Sequence, residues 1–134
     1  MCIFCKILNN EIPSSKIYED DFCIAILDIS QATKGHTLII SKKHFSNIYE
    51  IEDEVLSHIH VIAKKIALML KKTYSDIKGF NIIQNNEPKA GQTVMHYHVH
   101  VIPRYENDDL KIESVDHSDL YDLKAIQKEI KKSI

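Results

Sequence analysis

The chain has 134 residues, of which 44% are hydrophobic and 27% are charged, and its formal net charge is −2. This balance is typical of one folded globular domain, and it argues against a disordered chain or a basic protein that attracts nucleic acid. No apolar run approaches the roughly 18 residues that suggest a membrane-spanning helix. We therefore expect no nucleic acid and no membrane among the partners of this protein.

The N-terminal sequence MCIFCKILNNEIP lacks the long apolar segment and the small-residue cleavage site of a signal peptide. The three cysteines, Cys2, Cys5 and Cys23, are an odd number, which disfavours a framework of disulfides. Both features predict a protein of the reducing cytoplasm. We expect Cys23, which lies in a predicted strand, to be a small core residue.

Five segments carry the apolar and β-branched residues that favour strands, and Asp, Gly and Pro residues separate them. The loop before the last of them contains Pro88 and Gly91, and Pro103 ends that strand. The predicted strands span residues 16–19, 22–28, 35–41, 79–85 and 93–103.

Two segments show a helical period instead. Residues 52–72 form a predicted amphipathic helix, in which apolar side chains recur every three or four positions at Val55, Ile59, Ile62, Ile66 and Met69. A second amphipathic helix ends the chain, with Ser118 as its expected N-cap and an apolar face at Leu123, Ile126, Ile130 and Ile134. The order of elements predicts an α+β fold with a five-stranded antiparallel sheet and helices on one face.

The last predicted strand carries His96, His98 and His100 at alternate positions. Side chains on a strand alternate between faces, so all three imidazoles point the same way, while Tyr97, Val99 and Val101 point the other way. A single histidine on a strand is more often structural or solvated. Burying three imidazoles on one face has a desolvation cost for each ring unless partners are present, which favours a functional cluster.

Two functions fit such a cluster. The imidazoles can bind a metal ion, since a His-x-His pair on a strand can supply two nitrogens to Zn²⁺. Alternatively, a neutral imidazole at the centre can attack phosphorus while its neighbours stabilise the phosphoryl oxygens. Polar residues at Gln92 and Thr93, and His36 at the start of the third strand, favour the second function. No Walker-type loop or carboxylate pair indicates a Mg²⁺ site.

The segment HYHVHVI, residues 96–102, resembles the motif of the histidine-triad (HIT) family, in which three histidines alternate with apolar residues. The segments IFCKILNNEIP, YEDDFCIAILDIS, GHTLIISKKHF and NNEPKAGQTVMHYHVHVIPR are similar to successive parts of that family. The resemblance runs from about residue 3 to residue 104. It implies a HIT-like fold, with one long helix between strands three and four and a C-terminal helix.

The resemblance also implies nucleotide hydrolysis or transfer at an α-phosphorus. His98 matches the nucleophile, which becomes a covalent nucleotidyl-histidine, and His100 and His36 match the histidines on the phosphate side. Thr93 and Gln92 match a polar pair near the phosphate and the leaving group. The nucleotide-binding positions implied are Asp28 at the ribose, Asn85 and Gln92 at polar positions, and apolar walls at Phe4, Ile7, Ile26, Ile29 and Leu38. Plain core packing is the simpler interpretation of the apolar residues.

Cys2-x-x-Cys5 is weak as a zinc motif by itself, because a structural zinc site needs four ligands. Some bacterial histidine-triad proteins carry a Cys-x-x-Cys…His…His zinc site, and Cys2, Cys5, His44 and His96 match its four positions. The resemblance thus implies a structural zinc that uses the first histidine of the trio. A mobile terminal thiol and a small buried residue are the alternative.

Three functions remain open from the sequence. A hydrolase could act on an adenosine phosphoramidate-type substrate or on a dinucleoside polyphosphate such as diadenosine tetraphosphate, with a purine as the base that the family leads us to expect. A nucleotide-binding module without catalysis is the second class. A zinc protein that uses all three histidines as ligands is the third.

The family resemblance further implies a homodimer formed through the helix at residues 52–72, where Val61 and Leu68 lie off the main apolar stripe. We expect residues 1–105 to form the catalytic region and residues 106–134 to form a tail of the same domain. His58 and His60 do not share a helix face. We expect both to be solvated or at an interface.

Overall fold

A computed structural model of the chain describes residues 2–134, so Met1, the first residue of the predicted catalytic region, lies outside it. The α-helices described are α1 (Ile3–Leu8), α2 (Asp53–Thr73) and α3 (Leu123–Lys131). The strands are β1 (Lys16–Glu19), β2 (Cys23–Leu27), β3 (Thr37–Ser41), β4 (Gly79–Ile83) and β5 (His98–Arg104). Short 3-10 helices lie at Pro88–Ala90 and Ser118–Leu120. Within residues 2–134, no helix is both long enough and apolar enough to cross a bilayer.

The five strands form one antiparallel sheet in the order β1-β2-β3-β5-β4. β5 lies between β3 and β4, and His98 and His100 are in register with Ile40 and Leu38 of β3. The predicted sheet, the long helix between β3 and β4 and the C-terminal helix are all confirmed. Because β5 is an interior strand, its backbone is paired with a neighbouring strand on each side, and this pairing fixes the positions of its side chains.

α2 covers one face of the sheet. Asp53 and Glu54 occupy its first turn and Lys71 and Lys72 its last turn, which suits the helix dipole at both ends. Each large apolar side chain that it buries contributes about 1.5–3 kcal/mol to folding. Leu70 is buried in place of the predicted Met69, which is partly exposed. The main core under α2 includes Val55, Ile59, Ile62, Ile66, Leu70, Tyr97, Val99 and Val101.

α1 lies on the opposite face, so the prediction that the helices share one face is wrong. Six residues are too few to show a helical period, so this helix was not predicted. Phe4 is buried in a second apolar cluster with Ile24, Ile26, Leu38 and Ile40, and Ile7 and Leu8 pack against that cluster. The sheet therefore has a helix on each face.

β5 begins at His98, five residues later than predicted. Before it, the chain bends, and the Tyr97 backbone N–H donates to the Phe45 carbonyl at 2.6 Å. His96 thus precedes the strand. Its side chain reaches a separate group of ligand atoms near Cys2.

The tail leaves the sheet at Arg104. The Arg104 guanidinium forms a bidentate ion pair with Asp108 and donates hydrogen bonds to the Asn81 side chain and to the Leu110 carbonyl. Beyond it, the side chains are almost all exposed, and the apolar face of α3 does not pack on the sheet. The N-cap of α3 is Asp122, whose carboxylate accepts the backbone N–H groups of Lys124 and Ala125. The predicted N-cap, Ser118, begins the preceding 3-10 helix instead.

Candidate active site and metal centre

The alternation of β5 divides its side chains between two environments. Val99 and Val101 lie in the core under α2, and Tyr97 joins them from just before the strand. His98 and His100 face the opposite side, where they line a cleft beside α1. The site is thus built on a rigid interior strand.

His98 is held in one tautomer. Its side chain is 6% exposed, and its Nδ1 lies 2.7 Å from the His96 carbonyl oxygen. A carbonyl only accepts, so Nδ1 carries the hydrogen and Nε2 keeps a free lone pair. Burial lowers the pKa of His98, which keeps the ring neutral at pH 7. The edge-on ring of Phe4, with centroids 4.9 Å apart, covers one side of the imidazole.

His36 and His100 form a hydrogen-bonded pair, with Nε2 of His36 2.9 Å from Nδ1 of His100. The Ala32 backbone N–H donates to His36 Nδ1 at 3.1 Å, so the hydrogen of neutral His36 is on Nε2. His36 therefore donates to His100, whose own hydrogen must lie on its Nε2. This chain of bonds makes His100 a donor, whereas His98 offers a lone pair.

Burial also keeps this pair neutral. It lowers the pKa of His36, and it lowers the pKa of His100 to about 4, with His98 and His36 adding to the effect. The Asp28 carboxylate lies 3.6 Å from His36 Nε2 and opposes the decrease in the pKa of His36. Three neutral imidazoles thus stand next to one carboxylate.

The cleft beside them has a volume of about 330 Å³. Phe4, Ile7, Ile26 and Leu38 form its apolar wall, and Asp28 and Thr93 contribute polar atoms. Ile29 also lines the cleft, but its side chain is 99% exposed, so it lies at the rim. Nine of the predicted nucleotide-binding residues are thereby brought together: Phe4, Ile7, Ile26, Asp28, Ile29, Leu38, Thr93, His98 and His100.

Gln92 and Asn85 are not among the residues that line the cleft. Gln92 is 2% exposed, its Oε1 accepts the Glu87 N–H at 2.8 Å, and its Nε2 donates to the carbonyls of Ser46 and Val94. Its amide therefore shapes the loop before β5. Asn85 lies in the same loop, where its amide would meet a Cβ placed on Gly91 at 3.5 Å.

Other residues line the cleft that the sequence did not indicate. They are small or apolar residues of loops, of α1 and of the end of β2, and no motif marks them: Ile3, Ile12, Pro13, Ser14, Leu27, Ser30 and Val94. The sequence also did not indicate two backbone groups of the site, the carbonyl of His96 and the N–H of Ala32. Their roles follow only from their positions in the folded structure.

Cys2, Cys5, His44 and His96 form a second cluster, referred to here as the thiol–imidazole cluster, with one potential ligand atom from each within 4.8 Å of the others. His96 Nδ1 lies 3.3 Å from Cys2 Sγ, 3.6 Å from Cys5 Sγ and 3.1 Å from His44 Nδ1. Cys5 Sγ lies 3.4 Å from His44 Nδ1. Tetrahedral Zn²⁺ would separate two nitrogens by about 3.3 Å and a nitrogen from a sulfur by about 3.6 Å, given its usual bond lengths.

The protonation of His96 tests whether these residues fit a metal. Its Nε2 lies 2.7 Å from the Ser41 carbonyl oxygen, so Nε2 carries the hydrogen and the Nδ1 lone pair faces the cluster. Burial lowers the pKa of His96, which favours the neutral form that binds metals. The two sulfur atoms and His44 Nδ1 all converge on this one lone pair, which cannot accept hydrogen bonds from all three. Two thiols and two imidazoles with this convergence fit Zn²⁺.

Asp20, Cys23 and His58 form another close group. The Asp20 carboxylate accepts hydrogen bonds from Tyr18, from the backbone N–H groups of Phe22 and Cys23, and from His58 at 2.6 Å. Burial raises the pKa of Cys23 to about 12, so this residue is a neutral core thiol. The group is a hydrogen-bonding centre that ties α2 to the β1–β2 turn. The His58 side chain is 30% exposed, so it is partly solvated, and its bond to Asp20 is a tertiary contact that the sequence did not indicate.

Residues 9–107 match the HIT domain family. The chain belongs to the HIT family. The Bacillus subtilis protein hit is 51% identical over 108 residues, which are 81% of this chain and 74% of that protein. The crystal structure of a HIT family protein from Bacillus anthracis superposes with a TM-score of 0.91 at 46% identity, and it covers 99% of this chain and 96% of its own. The family assignment made from the trio and its flanking segments is thereby confirmed.

Members of the HIT family include nucleotide-directed hydrolases. An adenosine 5'-monophosphoramidase of Saccharomyces cerevisiae is 43% identical over 77% of this chain and 62% of its own length. An adenylylsulfatase of Arabidopsis thaliana is 42% identical over 80% of this chain and 54% of its own length. A zinc-bound histidine triad protein of Mycobacterium smegmatis is 32% identical, with a TM-score of 0.78 over 99% of this chain and 97% of that one.

Proposed function

We propose that this HIT protein is a nucleotide hydrolase or nucleotidyl transferase that works through a covalent nucleotidyl intermediate on His98. One observation carries the proposal. The buried, neutral His98 presents a free Nε2 lone pair into a cleft, next to a histidine pair that presents an N–H. A binding module has no need for a lone pair aimed where a phosphate would carry negative charge.

The chemistry follows from these protonation states. His98 Nε2 forms a bond to the α-phosphorus, and the bond from phosphorus to the leaving group breaks with its electron pair on the leaving group. The His100 Nε2–H and the Thr93 hydroxyl donate hydrogen bonds to phosphoryl oxygens as charge grows there. Water then attacks the same phosphorus, and the bond from phosphorus to His98 Nε2 breaks with its electron pair on Nε2. The proton that water loses to solvent balances the proton that the leaving group takes up, and a nucleoside monophosphate and neutral His98 are released.

The nucleoside part of the substrate fits the cleft beside α1. Phe4, Ile26 and Leu38 provide apolar surface for a base, which we propose is a purine, and Asp28 can accept hydrogen bonds from ribose hydroxyls. Asp28 Oδ1 already accepts the Ser30 N–H at 2.8 Å, which fixes the orientation of the carboxylate. Gln92 and Asn85 contribute by holding the loop that presents Thr93.

We propose an adenosine phosphoramidate-type compound as the substrate. The yeast relative named for that activity supports this choice, and the Arabidopsis relative named as an adenylylsulfatase suggests a related substrate with a different leaving group. A dinucleoside polyphosphate such as diadenosine tetraphosphate is the alternative. All three substrates share an adenosine on the reacting phosphorus and differ only in what leaves.

Cys2, Cys5, His44 and His96 would hold a structural zinc ion. The positively charged ion would bind both thiolates and both imidazoles and would thereby cross-link the segments that carry them. It would take no part in the reaction. The zinc-bound relative supports this assignment, and so does the convergence of ligand atoms. We also keep the prediction that the protein works in the cytoplasm, where thiols stay reduced.

We propose that two copies associate through α2. Val61 and Leu68 on its outer surface are 63% and 60% exposed, and Ile82 of the edge strand β4 is 41% exposed. An apolar surface of this kind is typical of an interface between identical subunits. Residues 1–105 would then carry the catalytic groups of each copy, and residues 106–134 would form a tail of the same domain. Sedimentation velocity should give the mass of two chains.

AMP release from adenosine phosphoramidate, adenylyl sulfate and diadenosine tetraphosphate tests the function. Wild type should release AMP fastest from adenosine phosphoramidate, and His98→Ala should release none. His117→Ala is the matched control, because His117 is exposed in the tail, away from both the cleft and α2. AMP binding without turnover of any substrate would support the non-catalytic alternative, and turnover by His98→Ala would exclude the covalent intermediate.

A further inference from the structure

The thiol–imidazole cluster and the cleft share one element, the short helix α1. Cys2, the N-cap of α1, and Cys5 in its first turn belong to the cluster, whereas Phe4 and Ile7 of the same helix line the cleft. The Phe4 ring lies edge-on to both His98 and His96, with centroids 4.9 Å and 5.9 Å apart. A movement of α1 would therefore change both places at once.

α1 is weakly attached by its backbone. The hydrogen bonds of its N–H groups and of the turn that follows it are local, such as Lys6 N–H to the Cys2 carbonyl and Asn9 N–H to the Cys5 carbonyl. Within residues 2–14, no backbone hydrogen bond to the sheet is present in the described part of the chain. A helix of six residues is not stable by itself in water. Its position thus depends on side chains.

Two kinds of side-chain contact hold it. Phe4 is buried against the sheet, with Ile7 and Leu8 half-buried beside it. At the other side, Cys2 and Cys5 contact His96 and His44, and Cys2 Sγ also accepts the Cys5 N–H at 3.4 Å. Thiol-to-imidazole hydrogen bonds are weak, whereas a cation bound by all four groups would fix both ends of the first helical turn.

We propose that the thiol–imidazole cluster positions Phe4, so that a cation held there sets the affinity of the protein for the nucleoside part of its ligand. The proposal rests on the proposed nucleotide site, and it makes Cys2 and Cys5 positioning residues for that site. Without the cation, α1 leaves its place in a fraction of the molecules, and the cleft loses one wall. Observed affinity falls in proportion to the fraction that remains closed.

Calorimetric binding of AMP and of inorganic phosphate tests this coupling. The protein is measured with one zinc per chain, after removal of zinc with 1,10-phenanthroline and desalting, and after zinc is added back. Removal of zinc should weaken AMP binding about ten-fold, which corresponds to α1 being in place in about a tenth of the molecules. Phosphate binding, which uses His100 and Thr93 and no residue of α1, should stay within about two-fold, and added zinc should restore AMP affinity.

Two variants separate positioning from general damage. In Phe4→Ala, AMP binding should already be weak with zinc bound, and removal of zinc should change it less than two-fold. Ile29→Ala is the matched control, because Ile29 lines the same cleft but lies outside α1. In this control, removal of zinc should still cause the full ten-fold loss.

Hydrogen exchange provides a readout that does not depend on any ligand. Removal of zinc should speed exchange of the α1 amides, while exchange in β2 and β5 stays unchanged. The proposal is overturned if zinc-free protein binds AMP as tightly as loaded protein, if AMP and phosphate affinities fall equally, or if the purified protein binds no stoichiometric zinc. Loaded protein that fails to bind AMP at all would instead refute the proposed nucleotide site.

Discussion

His96 and His98 are two residues apart, are both buried, and are both hydrogen-bonded to a backbone carbonyl, yet they present opposite nitrogens. His98 gives its Nδ1 hydrogen to the His96 carbonyl and keeps the Nε2 lone pair for the cleft. His96 gives its Nε2 hydrogen to the Ser41 carbonyl and keeps the Nδ1 lone pair for the thiol–imidazole cluster. The choice of carbonyl partner selects the tautomer, and the tautomer separates a nucleophile from a metal ligand.

The largest expected effect concerns His98. His98→Gly should reduce AMP release at least about 1,000-fold, because the remaining histidine of the cleft, His100, presents an N–H and not a lone pair. Free imidazole in the buffer should restore part of the activity by entering the space that the side chain leaves. Initial rates with and without imidazole measure this. His117→Gly, at an exposed position of the tail, is the control and should match wild type.

His96→Asn is the counterpart and should separate the two roles. The variant loses the Nδ1 ligand, so zinc affinity should fall by about 100-fold or more. It keeps the backbone carbonyl that orients His98, so the rate at saturating substrate should stay within about ten-fold of wild type. Zinc content and steady-state rates are the measurements. A loss of rate as large as that of His98→Gly, at full zinc content, would contradict the division of roles.

A decrease in pH should destabilise the folded protein, because the phosphate-side histidines are neutral in it. The pKa of His100 is about 4 in the folded protein, below its ordinary value of 6.5, so the unfolded chain binds more protons between these values. The stability that follows is complete above pH 6.5 and is lost as the pH falls toward 4. The free energy of unfolding should drop by about 2 kcal/mol from His100 between pH 7 and pH 5.

Urea unfolding at the two pH values measures this drop. Protonation of His98 and His36, whose pKa values are also lowered by burial, acts in the same direction. His100→Asn cannot take up the proton and should show a smaller drop than wild type. His117→Asn should show the same drop as wild type, and equal drops in all three proteins would refute the assignment.

The smallest effect concerns Thr93, which faces the cleft from the loop before β5. Thr93→Ala removes one hydrogen-bond donor to a phosphoryl oxygen, and turnover should fall about ten-fold, equivalent to about 1.4 kcal/mol. Thr93→Ser keeps the hydroxyl and should retain most of the rate. Met95→Ala, two residues further along the same loop, is the control for loop damage. An unchanged rate in Thr93→Ala would contradict the role of Thr93 as a hydrogen-bond donor to the phosphoryl oxygens and would assign that role to His100.

Much of the site could be predicted because alternation along a strand is a local property. It predicted that His98 and His100 lie opposite Val99 and Val101, and the structure confirms this division. The start of β5 was predicted wrongly, because the bend at His96 depends on the bond between Tyr97 and Phe45, 52 residues apart in the chain. α1 escaped prediction for a related reason, since so short a helix depends on contacts that its own sequence does not show.

Gln92 shows most directly what the sequence alone could not predict. Its type and place beside Thr93 suggested a contact with phosphate, but its amide bonds to Glu87, Ser46 and Val94 within the protein. By itself, the sequence determined which residues could reach one face of the sheet, because that follows from the two-residue period of a strand. Only the tertiary structure decided which nitrogen each imidazole presents. That choice depends on hydrogen-bond partners as distant as Ser41, 55 residues before His96 in the chain.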